Sequence, residues 1–146
     1  CSSDLHVDYS RVPCTGLGMD MKFTPLVPPR SFDVGLPTKR ISLKDCGHMH
    51  LEADEQITFT TEQGGEFDVT RKPWGFYATP SLNDRLPRFG LRAALTRSSD
   101  GKFFVKLVER GREAEFHGYM EHQAEAVVCW LDEDDALLAI QQAQTG

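Results

Sequence analysis

Two groups of side chains in this sequence have the types and spacing to do chemistry. His48 and His50 stand two residues apart, and on an extended strand their Cα atoms lie about 6.6 Å apart, close enough for both imidazoles to reach one ion. Glu55 follows five residues after His50 and could add a carboxylate from the next strand. Cys46 shares the strand face but lies about 13 Å from His50, beyond reach of a common metal. The second group runs from Arg71 to Gly90, RKPWGFYATPSLNDRLPRFG. Trp74, Phe76 and Tyr77 offer flat faces on which a sugar ring or base can stack. Arg85, Arg88 and Arg92 offer guanidinium forks that match phosphate or carboxylate.

The segment around the histidines resembles the first metal motif of the cupin family: His-x-His, a Glu a few residues on, then a Gly. His48, His50 and Glu55 carry the resemblance. Glu62 stands where the glycine is due, Ser42 where an earlier glycine is expected, and no later His lies beside a Pro-x-Gly turn. The resemblance implies a β-barrel holding a divalent transition metal, with sugar isomerisation, epimerisation or oxygenation as activities. The alternative is a pair of exposed histidines on the wet face of an antiparallel strand.

In the arginine–aromatic stretch, Ser81 with Asp84 predicts a short helical turn closed by Pro87, whose first N–H groups could meet an anion. A phosphorylated or acidic sugar, such as a nucleotide-sugar, satisfies the stacking faces, the arginines and the turn together. The expected ligand-binding residues are Trp74, Phe76, Tyr77, Arg85, Arg88 and Arg92. The alternative makes Trp74 and Phe76 core anchors and pairs the arginines with the acidic C-terminal helices. Residues 23–131 also resemble small bacterial proteins, uncharacterised as a group, of surface-polysaccharide gene clusters. Asp54-Glu55-Gln56, Trp74 to Asn83 and Val128 to Leu131 carry that resemblance, which implies a cytoplasmic accessory protein in carbohydrate metabolism.

No GxSxG, P-loop or GxGxxG is present, so no motif names a reaction and catalysis is left open. His117 and His122 fall about 140° apart around a helix and do not chelate. Cys129, amid Val127, Val128, Trp130 and Leu131, reads as a small hydrophobe rather than a nucleophile.

Composition bounds the partners. The net charge of −6 conceals a segregation: residues 1–70 carry −5, residues 71–112 carry +7, and residues 113–146 carry −8. A basic centre between acidic flanks argues against duplex nucleic acid and fits a local anion site, or an interaction module gripping an acidic partner. The four scattered cysteines form no CxxC pair, as in a reduced cytoplasmic protein. No apolar run approaches the roughly 18 residues of a membrane span.

The elements that must position these residues read as α+β: an antiparallel, β-rich N-terminal half with two hairpins, followed by β-α-β-α, in a single domain over 21–146. Residues 1–20 read as a poorly ordered tail or a mis-called start. Pro25, Pro28 and Pro29 predict an extended edge or wrapping arm; Ile41–Leu51 alternates as a strand with a possible bulge at Gly47. One hairpin joins 55–61 to the strand holding Phe67 and Val69. The other joins 89–97 to 102–109 across Ser98–Gly101; with Arg97 opposite Lys102, Leu91, Ala93, Leu95, Phe104 and Val108 share a face. Arg112–Gln123 follows as a helix with a Phe116, Tyr119, Met120 stripe. A covered strand at 126–131 and a helix capped by Asp132 close the chain.

Overall fold

The computed structural model describes residues 22–145; the expected tail, 1–20, lies outside the described residues. The elements are β1 (Lys22–Leu36), β2 (Lys39–His50), β3 (Gln56–Thr60), β4 (Glu66–Lys72), β5 (Gly75–Ala78), α1 (Arg85–Arg88), β6 (Leu91–Arg97), β7 (Phe103–Glu109), α2 (Glu113–His122), β8 (Ala126–Trp130) and α3 (Asp134–Thr145). The class is α+β, as the sequence pattern predicts. The strands form a β1–β2 ribbon and two three-stranded sheets, ordered β3–β4–β5 and β7–β6–β8. None of the described helices is long and apolar enough to cross a membrane.

The chain divides into two compact units. Of the described residues, one holds 22–34, Arg40–Gln56 and Thr70–Tyr77; the other holds Gly35–Lys39, Ile57–Val69 and 78–145. The boundary falls within β3, β4 and β5.

In the first unit, β1 pairs with β2 alone among the described residues, and its Pro25, Pro28 and Pro29 have no N–H to offer a second strand. Gly47 on β2 has φ +154°, and a Cβ there would lie 2.5 Å from the Thr24 carbonyl oxygen. Only glycine allows β1 that close an approach.

In the second unit, β6 is the central strand, antiparallel to both β7 and β8. Arg97 pairs with Phe103, one residue further along β7 than the sequence reading places it. Ser98 N–H bonds to the Lys102 carbonyl at 2.8 Å, leaving a loop of Ser99, Asp100 and Gly101, with Gly101 at φ +89°. A three-residue loop closed by a left-handed glycine adds a residue to one side of the hairpin, and a one-residue slip exchanges the faces of β7. Leu91, Ala93, Leu95, Val105 and Leu107 therefore share one face; Ala94, Thr96, Phe104, Lys106 and Val108 share the other. Leu86 of α1, Leu91 and Ala93 form the buried core on the first face, with Phe67, Leu107 and Leu131 packed against them. On the opposite face Trp130 meets α2, its ring edge-on to Phe116 at 5.7 Å and to His117 at 6.1 Å.

Candidate functional site

An open cleft of about 530 Å³ lies within the second unit beside the C-terminal end of β7. That volume is in the range of sites for small molecules and peptide side chains. Its lining comes from separate segments: Phe59 of β3, Phe67 of β4, Leu91 of β6, Leu107 and Val108 of β7, and Phe116 and Tyr119 of α2. Phe59 is 54% exposed and Tyr119 39%, so the apolar walls lie open. The mouth carries Thr61, Glu109, Arg112 and Glu115. Arg112 pairs with Glu109 at 3.5 Å and with Glu115 at 3.1 Å, and the Thr61 hydroxyl donates to Glu109. The two carboxylates thus share one guanidinium and leave the mouth net negative.

Among the described residues, the strand beside the cleft has one unpaired edge. In the β6–β7 ladder the pairs Gly90/Arg110 and Ser98/Lys102 are hydrogen-bonded, at 3.0 and 2.8 Å. Antiparallel ladders alternate, so the even-numbered residues of β7 turn their backbone polar groups to β6. Phe103, Val105, Leu107 and Glu109 turn theirs outward, where no strand among the described residues neighbours β7. The Glu109 carbonyl accepts from Arg112 N–H at 2.9 Å; the other outward groups have no backbone partner among the described residues.

Among the expected ligand-binding residues, the three aromatics lie in the first unit and the three arginines in the second. Trp74 is 70% exposed, Phe76 63% and Tyr77 49%, so Trp74 and Phe76 are not core anchors. Pro73 and Trp74 form the turn between β4 and β5, Arg71 lies 5.8 Å from the Phe76 ring centroid, and Lys72 bonds Asp54 at 2.5 Å.

Each arginine has a carboxylate partner. Arg92 is bound by Asp132 at 2.8 Å, Glu113 at 3.3 Å and Glu133 at 3.5 Å, and lies 4.0 Å over the Trp130 ring. The hydrogen bond to Asp132, then that to Glu113, raises its pKa against the cost of burial. Asp132, expected as a helix cap, is thus engaged by Arg92. Arg85 binds Asp68, whose buried carboxylate also accepts from the Thr58 hydroxyl at 2.6 Å. Thr58 foremost, with Arg85 and Thr79, holds Asp68 below the usual carboxylate range although burial opposes it. Arg88 pairs with Asp84 at 3.0 Å with both side chains exposed, a contact worth at most about 1 kcal/mol. Of the three, Arg88 is the one a ligand could recruit at small cost.

Ser81 does close the expected turn, its hydroxyl accepting from Arg85 N–H at 2.7 Å. The helix it begins is only four residues long.

The histidines are not assembled into a metal site. His48 and His50 lie exposed on β2, and His50 contacts Glu52 at 2.7 Å. One Glu55 oxygen accepts from Glu52 N–H at 2.7 Å. Among the described residues no three His, Cys, Asp or Glu side chains come together as a metal-binding group.

The sequence reading did not single out the cleft, because its lining comes from β3, β4, β6, β7 and α2. One signal was present: β7 is apolar at consecutive positions, as a strand with both faces in contact should be. No family model matches the chain, and no curated protein or solved structure matches it.

Proposed function

We propose that the protein is a small binding module whose ligand occupies the apolar cleft beside β7. The observation that carries this reading is an open pocket of about 530 Å³ lined by Phe59, Phe67, Leu107, Phe116 and Tyr119. Exposed aromatic walls around a concavity gain from covering by an apolar ligand. The test is a fluorescence titration with anilinonaphthalene sulfonate, followed by amide NMR. Binding should perturb β3, β7 and α2, and Phe59→Ser with Tyr119→Ser should weaken it about tenfold. Equal affinity in the double variant would sink the reading.

A second reading rests on a different observation, the exposure of Trp74, Phe76 and Tyr77. These rings would stack on a phosphorylated or acidic sugar, with Arg71 and Lys72 of the same unit meeting its charge. It makes the protein a cytoplasmic accessory in carbohydrate metabolism. Thermal shifts with nucleotide-sugars and sugar phosphates, abolished by Trp74→Ser, would support it; flat responses to all of them would remove it.

A further inference from the structure

The cleft lies between two layers at the C-terminal end of β7, whose outer edge is unpaired among the described residues. Phe67 packs on the Leu86, Leu91, Ala93 face of the β7–β6–β8 sheet, and α2 packs on the face that carries Trp130. Phe59 and Phe67 therefore line one side of the cleft, and Phe116 and Tyr119 the other, with Leu107 and Val108 at its back. The cleft thus takes walls from both faces of the sheet and opens beside the end of its edge strand. A rounded apolar ligand would fill it and leave the outward N–H and C=O groups of Leu107, and those of Val105 beyond the cleft, without partners.

We propose that the occupant is an extended segment of another protein that adds as a fourth strand to the β7 edge. This rests on the cleft reading and names the partner's chemistry. Backbone hydrogen bonds would run to the outward groups of Phe103, Val105 and Leu107, the mode by which peptides extend exposed sheet edges. Both faces of the added strand would meet apolar walls, so the segment carries consecutive apolar residues rather than alternating ones. At one end, the Thr61–Glu109 contact and the net-negative pairing of Glu109, Glu115 and Arg112 favour a lysine or arginine flanking the apolar run. At the other, Phe103 and Val105 stand 58% and 60% exposed, and the added strand would cover them.

The probe is a fluorescein-labelled peptide, Lys-Val-Ile-Val-Phe-Thr, read by anisotropy beside the anilinonaphthalene sulfonate titration. Val105→Pro deletes an outward N–H at a position where an edge strand tolerates proline. It should weaken the peptide about tenfold or more and leave the dye unchanged. The peptide N-methylated at alternate residues should lose binding to the unaltered protein in one register of methylation and keep it in the other. That arm decides the matter if Val105→Pro does not fold. Equal binding of the Val105→Pro protein, or of both N-methylated peptides, would overturn strand addition while the dye result left the cleft standing. Failure of the dye to bind would remove the cleft itself. A concentration-dependent dimer in sedimentation, abolished by Val105→Pro, would assign the edge to a second copy and overturn the proposal.

Discussion

The Arg92 guanidinium lies 4.0 Å over the Trp130 ring while its Nε donates to Asp132 at 2.8 Å. One side chain therefore ties β6 to β8 and, through Glu113, to α2. The basic centre and acidic C-terminal stretch seen in the sequence meet here as an internal bond. Removing the cation strands Asp132, which is largely buried, and breaking such a pair from one side costs about 3–5 kcal/mol. Arg92→Ala should lose stability of that order in urea unfolding. Arg92→Lys should recover only part of it, because an ammonium cannot both bridge Asp132 bidentately and lie flat on the indole. An Arg92→Ala protein as stable as the parent would make the cluster dispensable for folding and return it to candidacy as a ligand site.

Asp68 should make the protein acid-labile in a defined direction. Thr58 and Arg85 hold its folded pKa below the usual value, and the unfolded carboxyl titrates near 3.9. Between those values the unfolded chain binds more protons than the folded one, so stability rises with pH in that window. The contribution is full above about pH 4 and is lost as pH falls through the folded pKa. Asp68→Asn should be destabilised at neutral pH by about 1–3 kcal/mol, with the difference shrinking toward pH 2. Parallel stability curves for the two proteins across that range would contradict this origin.

Gln123 supports the β1–β2 turn from the end of α2. Its side-chain oxygen accepts from Leu36 N–H at 3.0 Å and its amide donates to the Lys39 carbonyl at 2.9 Å. Both turn groups depend on one buried amide, and leaving a buried donor or acceptor unpaired costs about 1–3 kcal/mol each. Gln123→Glu keeps the acceptor but places a carboxylate oxygen against the Lys39 carbonyl. It should therefore destabilise at neutral pH at least as much as Gln123→Met, and recover when the carboxyl is protonated. Thermal melts at pH 7 and pH 4 separate the two variants.

The element types were legible where pattern and punctuation agree. Alternation marked β2, the Gly64-Gly65 turn marked the β3–β4 hairpin, and the stripe through Met120 marked α2. The β7 register was not, because one glycine in the left-handed region decides between three and four loop residues and so turns every β7 side chain over. Arg92 was expected either on a ligand or against the acidic C-terminal helices, because sequence spacing cannot show that Asp132, forty residues later, arrives in the turn just after the neighbouring strand β8. The cleft drew on β3, β4, β6, β7 and α2, none of which carries a signal for it alone. Gly47 shows the reverse case: its interruption of the apolar pattern pointed to a special backbone position, and the structure shows there a close approach of Thr24 that only glycine allows.

Trp74 separates the stacking surface from a packing role. Its ring is 70% exposed at the β4–β5 turn, so Trp74→Ser removes little buried area and should change stability by no more than about 0.5 kcal/mol. Phe67 packs on the Leu86, Leu91, Ala93 core, and Phe67→Ala should cost about 3–5 kcal/mol. The two substitutions delete aromatic rings of similar size, so composition alone gives no reason for a difference; burial does. Measured side by side in urea, a large loss from Trp74→Ser would mean the ring is covered in solution and is no platform for a sugar. A negligible loss, together with abolished sugar-phosphate shifts, would show that the ring serves binding and not folding.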